Sequence, residues 1–98
     1  MGSPALIPPD ARPRLANKAR IRFDRKTERY LLLYPEKGLE LNPTAADIAR
    51  LCTGEHTLTD MVERLADKYP KQPRPDIERE MLAFLAVLGE RGLVRYEA

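Results

Sequence analysis

Residues 30–43 read YLLLYPEKGLELNP, and this stretch decides how the chain folds. The run Tyr30–Tyr34 is short, apolar and followed by proline, which is typical of a buried strand that ends in a tight turn. Leu39–Leu41 alternates apolar and polar side chains, as a half-buried strand does. Asn42 offers an N-cap oxygen, and Pro43 suits the first position of a helix. The stretch therefore predicts a β-hairpin that leads directly into a helix.

The strand before this hairpin is predicted from alternation in residues 18–24. Its dry face would carry Ala19, Ile21 and Phe23. Its solvated face would carry Lys18, Arg20 and Arg22. Together with the hairpin, it gives a three-stranded antiparallel meander, which cannot bury its apolar face alone and needs helices on one side.

Three helices are predicted after the hairpin. The first covers residues 43–53 and ends before a glycine. Thr57 caps the second, in which residues 58–69 repeat apolar side chains at helical spacing. The third runs over about 75–91, and residues 93–96 form a short strand or an extended tail. The fold class is α+β and winged helix-turn-helix-like: a three-stranded antiparallel sheet followed by three helices.

Length and composition indicate one small globular domain. The chain has 98 residues, of which 33% are charged and 43% hydrophobic, and its net charge is +2. Residues 1–16 hold four of the nine prolines and are predicted to be a flexible arm, with the domain itself at 17–98. We find no signal-peptide pattern and no apolar run of membrane-spanning length, so a cytoplasmic protein without a membrane partner is expected.

Several kinds of chemistry are disfavoured by the residues present. Cys52 is the only cysteine and His56 the only histidine, so one chain cannot form a disulfide or a Cys/His metal cage. Cys52 lies on an apolar helix face and is expected to be a buried small hydrophobe. No nucleophile–base group and no glycine-rich phosphate loop is present. We therefore expect that the protein is not an enzyme and that it has no catalytic residues, no metal and no cofactor.

Two surfaces are candidates for binding a peptide. The first is the outer edge of the third strand, formed by Gly38, Leu39, Glu40 and Leu41, because an unpaired edge accepts an extended peptide as a further strand. The alternative is a short edge that Glu40 merely blunts. The second is a wide apolar stripe on the third helix, formed by Ile77, Met81, Phe84, Leu85 and Leu88 and widened by Leu82 and Val87. Part of the stripe would pack on the core. The rest would line a groove; the alternatives are that it forms a dimer contact or that the helix is more enclosed.

A third candidate surface is the basic strand face of Lys18, Arg20 and Arg22. Such a run is either a solvated face or a surface that attracts an acidic partner or a nucleic-acid backbone. Nothing in the local pattern chooses between these.

The central stretch also resembles a known family. LLYPE at residues 32–36, followed by LELN at 39–42, resembles the signature of the PqqD family, which takes part in the biosynthesis of pyrroloquinoline quinone (PQQ). The preceding RIRFD at 20–24, CTGEHT at 52–57 and FLAVL at 84–88 fit the same pattern. The resemblance covers about residues 12–96 in unbroken order.

The resemblance implies a peptide chaperone. PqqD-like domains are winged helix-turn-helix modules that bind the precursor peptide PqqA and present it to PqqE. PqqE is a radical S-adenosylmethionine enzyme that cross-links a Glu and a Tyr of that peptide. Related domains, called RiPP recognition elements, bind leader peptides as an added strand beside the last helix. On this chain those elements are Gly38–Leu41 and Ile77–Leu88, and the basic strand with Lys18, Arg20 and Arg22 would help to dock the enzyme.

Two other functions stay open from the residues alone. A winged helix DNA-binding protein is the alternative, although an acidic and apolar third helix fits a major groove badly. The other is a subunit whose role is only to assemble with further copies or partners.

The oligomeric state is predicted from the connection before the third helix. Pro70, Pro73 and Pro75 stiffen this connection, so we expect a monomer or a weak homodimer, in which the dimer exchanges residues 70–98 between copies.

Overall fold

The computed structural model describes residues 7–35 and 37–97, eight elements in all. Residues 1–6 of the predicted arm, Glu36 of the LLYPE motif and Ala98 lie outside the described residues. The strands are β1 Arg12–Leu15, β2 Arg20–Asp24, β3 Arg29–Tyr34, β4 Lys37–Leu41 and β5 Val94–Glu97. The helices, between β4 and β5, are α1 Pro43–Leu51, α2 Leu58–Lys68 and α3 Arg74–Glu90.

The predicted α+β class and the three-stranded antiparallel sheet are confirmed. The order in this sheet is β2-β3-β4. Leu32 lies opposite Ile21 on one side and Leu39 on the other. Since opposite residues share a face, this row and the next one, which contains Tyr30 and Leu41, form the inner face that α1 covers.

A second sheet was not predicted. β1 pairs antiparallel with β5, with Arg12 opposite Glu97. Further hydrogen bonds hold β1 on the connection between α1 and α2, from the Leu15 amide to the Cys52 carbonyl (3.0 Å) and from the Gly54 amide to the Pro13 carbonyl (2.9 Å). Residues 12–15 of the predicted arm therefore form a strand that pairs with the far end of the chain.

Both predicted helix caps are present. The Asn42 side chain accepts a hydrogen bond of 2.7 Å from the Ala45 amide, and the Thr57 hydroxyl accepts one of 3.0 Å from the Asp60 amide. Each cap satisfies a backbone donor that the first helical turn leaves without a partner. These caps fix where α1 leaves the sheet and where α2 begins.

The core lies between the inner face of the three-stranded sheet and the helices. Its largest fully buried hydrophobic side chains are Leu32, Ile48, Met61, Leu65, Ile77, Met81, Leu85, Leu88 and Leu93. Burying one such side chain stabilises the fold by about 1.5–3 kcal/mol. The predicted dry face of β2 is only partly covered, since Ala19 and Ile21 pack on the core but Phe23 is 45% exposed. The Phe23 ring meets the Tyr30 ring at an interplanar angle of 57°, with the centroids 5.0 Å apart. β2 lies at the edge of the sheet, and the helices do not cover the side chains at its end.

α3 packs within its own chain against α1, α2 and β5. The connection from α2 contains a turn bond from the Gln72 amide to the Tyr69 carbonyl (3.1 Å), and Arg74 pairs with Glu63 across it. In the described part of the chain, positive φ angles occur only at Glu28, Gly54 and Gly92, so this connection has none. The expected strain in the connection is therefore not seen in its backbone, and exchange of α3 between copies stays a prediction.

Candidate functional site: the edge of β4 beside α3

β4 is an edge strand whose outer side is open. Among the described residues, β4 pairs with β3 alone. Leu41 is buried and Leu39 half-buried against the core, whereas Gly38 and Glu40 are exposed. The Glu40 carboxylate lies 3.3 Å from Arg29, on the neighbouring strand. Leu39 and Leu41 thus fix the strand on the core while its free edge faces outward.

The backbone of β4 offers hydrogen bonds at this edge. In an antiparallel ladder, alternate residues direct their N–H and C=O groups to one neighbour, and the residues between them direct theirs to the other side. About half of the backbone groups of β4 therefore point away from β3. Such groups can pair with an extended peptide, which would become the next strand of the sheet.

One flank of α3 is held beside this hairpin by a tertiary hydrogen bond. The Arg91 guanidinium donates to the Tyr34 hydroxyl at 2.8 Å, and Tyr34 lies opposite Lys37, the first residue of β4. Phe84 and Val87 precede Arg91 by seven and four residues, so the three side chains share one flank of the helix. Phe84 is half-buried and Val87 is 36% exposed. At its Arg91 end, this flank therefore meets the hairpin that leads into the free edge strand.

The predicted apolar stripe of α3 is mostly core. Ile77, Met81, Leu85 and Leu88 are each at most 1% exposed, so their side chains pack on their own chain and do not line an open groove. Phe84 is half-buried, and Leu82 and Val87, which widen the stripe, are exposed at 41% and 36%. Helical spacing predicts which side chains share one face of α3, but it does not predict which of them the core covers.

Two side chains of this site were missed from the sequence. Tyr34 and Arg91 are 57 residues apart, and no local pattern links residues at that separation. Tyr34 looked like the end of an apolar strand and Arg91 like the end of a helix. Val87 was noticed only as a residue that widens the stripe.

The predicted basic residues lie on a different surface. Arg20 is opposite Leu33 and Arg22 is opposite Leu31, so both point to the outer face of the sheet, away from the helices. Lys18 is exposed in the turn before β2. All three are solvent-accessible, but the structure does not bring them together with the flank of α3.

A polar network joins α1 to the end of α2. The Asp47 carboxylate, whose side chain is 11% exposed, accepts hydrogen bonds from Tyr69 (2.5 Å), Lys68 (2.9 Å) and Arg50 (3.2 Å). Burial favours the neutral acid, but these hydrogen bonds and the charges of Lys68 and Arg50 outweigh burial and hold the Asp47 pKa below its usual value. Arg50 also stacks over the Tyr30 ring, 4.2 Å from its centroid. The network thereby fixes α1 under the inner face of the sheet.

The described residues contain few groups suited to catalysis. Cys52 is 4% exposed, its thiol donates to the Ile48 carbonyl (3.3 Å), and burial raises its pKa to about 12. The His56 ring contacts the Asp60 carboxylate at 2.8 Å. Across the part of the chain that the structure describes, no three metal-binding side chains cluster together. Nor does this part hold a helix long and apolar enough to span a bilayer.

Comparison with known proteins identifies the family. A family model described as "Coenzyme PQQ synthesis protein D (PqqD)" matches residues 29–94, from the first residue of β3 to the first of β5. The chain belongs to the PqqD family. Its free edge strand and all three helices lie within the matched residues, whereas β1 and β2 lie before them.

Relatives of this PqqD-family chain include two with the name "PqqA binding protein". The protein from Methylococcus capsulatus is 43% identical over 77 residues, which cover 78% of this chain and 82% of the relative. The protein from Pseudomonas aeruginosa is 33% identical over 87 residues, or 89% of each chain.

A solved structure has the same fold. It is the solution NMR structure of the PqqD truncation of Methylobacterium extorquens PqqCD, described as a functional, stand-alone RiPP recognition element. It superimposes with a TM-score of 0.74 at 29% identity and covers 88% of this chain and 89% of its own.

Proposed function

We propose that this PqqD-family chain binds the precursor peptide PqqA as an added strand on β4 and holds it against the α3 flank of Phe84, Val87 and Arg91. The observation that supports the proposal is the Arg91–Tyr34 hydrogen bond, which joins the end of that flank to the hairpin whose second strand has free backbone groups. The names of the relatives support PqqA as the peptide.

Recognition would combine two kinds of contact. Backbone hydrogen bonds at β4 supply affinity that depends little on sequence, and the apolar side chains on α3 select apolar groups of the peptide. Leu39 and Leu41 would hold β4 on the core rather than touch the ligand. Of the α3 residues first expected to bind, Phe84 would remain in the site, and Ile77, Met81, Leu85 and Leu88 would support it from the core.

The role would be that of a non-catalytic adaptor. The bound peptide is presented to PqqE, the radical S-adenosylmethionine enzyme that the family resemblance implies. Because PqqA is made by the ribosome, this step would take place in the cytoplasm. The alternative, a winged helix DNA-binding protein, needs an exposed basic helix, whereas α3 exposes Glu78 and Glu90 beside apolar side chains.

Amide NMR with PqqA tests this proposal. Titration should shift the amide signals of residues 37–41 and 84–91, and hydrogen exchange of the outward amides of β4 should slow, because the added strand takes them out of water. The Glu40→Ala variant is the control and should bind with little change, since only its backbone pairs with the peptide. Shifts confined to the β1–β5 sheet would contradict the proposal.

A further inference from the structure

The central strand of the sheet is apolar on both faces. Leu32 points inward and is fully buried, while Leu31 and Leu33 point to the outer face and are half-buried. A sheet face that meets only water normally carries polar side chains, so a strand that is apolar on both faces is typical of a sheet covered on both sides. Here the neighbours of these leucines on the outer face are exposed, so no described element covers that face.

The outer face is formed by two rows across the strands. One row is Arg20, Leu33 and Gly38, and the other is Arg22, Leu31 and Glu40. A methyl group at position 38 would lie only 3.1 Å from the Leu33 side chain. Glycine at that position therefore lets Leu33 lean over β4, and it leaves the apolar surface open toward the free edge.

Positive charge surrounds these leucines. A depression of about 680 Å³ is lined by Leu31, Leu33 and Phe23 together with three basic side chains and one acidic one, Arg22, Arg25, Lys26 and Asp24. Glu40 pairs with Arg29 (3.3 Å), and Asp24 accepts a hydrogen bond from the Lys26 amide (3.0 Å), so the depression keeps an excess of two positive charges. Within residues 7–35 and 37–97, no carboxylate lies within ion-pair distance of Arg20 or Arg22.

We propose that this outer face docks a protein surface with carboxylates around apolar side chains, and that the surface belongs to the enzyme that acts on the bound peptide. An apolar centre with an unpaired basic rim complements such a surface in both hydrophobicity and charge. The choice of enzyme rests on the proposed function. The docking face lies on the opposite side of the sheet from the helices and leaves the free edge of β4 open.

The same geometry links docking to peptide binding. A peptide strand added to β4 continues the sheet, so alternate peptide side chains stand on the outer face next to Gly38 and Glu40. The docked enzyme would contact the chain and those side chains together. Because coupling between two binding events is reciprocal, the peptide strengthens binding of the enzyme, and the enzyme strengthens binding of the peptide by the same factor.

Binding of purified PqqE to charge-reversal variants tests the docking face. The Arg20→Glu/Arg22→Glu variant should raise the Kd for PqqE about tenfold or more, because it opposes the carboxylates of the partner. The matched control is Arg12→Glu/Arg95→Glu, which makes the same change in charge at exposed positions of the other sheet and should leave that Kd unchanged. Equal affinity of all three proteins for PqqE would overturn the proposal.

An apolar variant separates contact from long-range charge. Leu31→Thr/Leu33→Thr keeps residues that favour strands and removes the apolar centre, so it should also weaken PqqE binding. Circular dichroism must first show that each variant folds. PqqA titration of the same proteins keeps the two proposals apart. Intact PqqA binding with lost PqqE binding supports the docking face, whereas a wild-type chain that fails to bind PqqA counts against the proposed function.

Two other occupants give different results. If wild-type chains associate in light scattering and the Arg20→Glu/Arg22→Glu variant does not, while PqqE affinity is unchanged, the face is a contact between copies. If the wild-type chain binds duplex DNA in a salt-dependent way that this variant loses, while PqqE affinity is unchanged, the face binds phosphates. Either result overturns docking of the enzyme.

Discussion

Arg91, the residue after α3, donates a 2.8 Å hydrogen bond to the hydroxyl of Tyr34, the last residue of β3. This bond joins the end of the longest helix to the hairpin that begins the free edge strand. It holds two elements that share no hydrogen-bond ladder. The distance between the two walls of the proposed peptide site therefore depends on it.

Removing this bond should affect binding more than folding. Tyr34→Phe and Arg91→Met each remove one partner, and since Arg91 is exposed, we expect a loss of about 0.5–1 kcal/mol in the free energy of unfolding. PqqA affinity should fall about fivefold, because the α3 flank is no longer fixed beside β4. Calorimetric titration and urea unfolding measure the two effects. If the double variant loses as much affinity as the two single variants summed, the pair does not act as a unit.

Val87 and Leu82 make a matched pair on α3. Both are exposed, at 36% and 41%, but Leu82 lies beside α2 in the depression that contains Thr59 and Glu78. Val87→Asp should weaken PqqA binding, because a carboxylate would be desolvated against apolar groups of the peptide. Leu82→Asp adds the same charge to the same helix and should not. Equal loss in both variants would point to a general effect of charge.

The buried stripe of α3 should respond differently. Met81→Ala and Leu85→Ala remove fully buried side chains, so each should lower the free energy of unfolding by about 2–5 kcal/mol. Any fraction that remains folded should bind PqqA with nearly wild-type affinity. Thermal unfolding followed by titration below the transition checks this. Normal stability with lost binding would place these side chains in the site after all.

The Asp47 network predicts a loss of stability in acid. The folded-state pKa of Asp47 is lowered, so its contribution is fully present above the unfolded value of about 4 and is lost as the pH falls through the lower, folded value. The Asp47→Asn variant should be less stable than wild type at pH 7, and the difference should shrink in acid. Urea midpoints at pH 7 and pH 3 measure it. A difference that stays constant would show that the charge of Asp47 contributes nothing.

Exchange of residues 70–98 remains the prediction for assembly. α3 exposes apolar side chains beyond those that the core covers, and an exchanged helix would keep its buried contacts. A dimer at high concentration should therefore depend on this segment and compete with PqqA, so dilution should raise peptide affinity. Light scattering at several concentrations, paired with titration, tests both points. A dimer that persists at nanomolar concentration and binds PqqA like the monomer would contradict them.

Local signals in the sequence were enough for most of the fold. Asn42 and Thr57 were predicted as caps because each stands directly before an apolar helical repeat, and both caps are present. β1 was missed because its partner is at the other end of the chain and its RPRL sequence, although it alternates, is only four residues long. Pro13 also argued against a strand, yet proline is tolerated at the edge of a two-stranded sheet.

The candidate site was predictable only in part. The free edge of β4 follows from the order of three consecutive strands, which short turns impose. The exposed face of α3 cannot be predicted in the same way. Periodicity places Met81 and Phe84 on one stripe, but it does not show that β5, α1 and α2 cover most of that stripe. The outer leucines of β3 were equally ambiguous, because a run of three leucines shows no alternation.

The pairing of Arg12 with Glu97 brings the first and last strands of the fold together. A circularly permuted protein is therefore feasible, with a glycine-rich linker that runs from the end of β5 to the segment before β1 and new termini in the exposed turn between β2 and β3. Because the linker would lie in the β1–β5 sheet, the free edge of β4 would remain accessible.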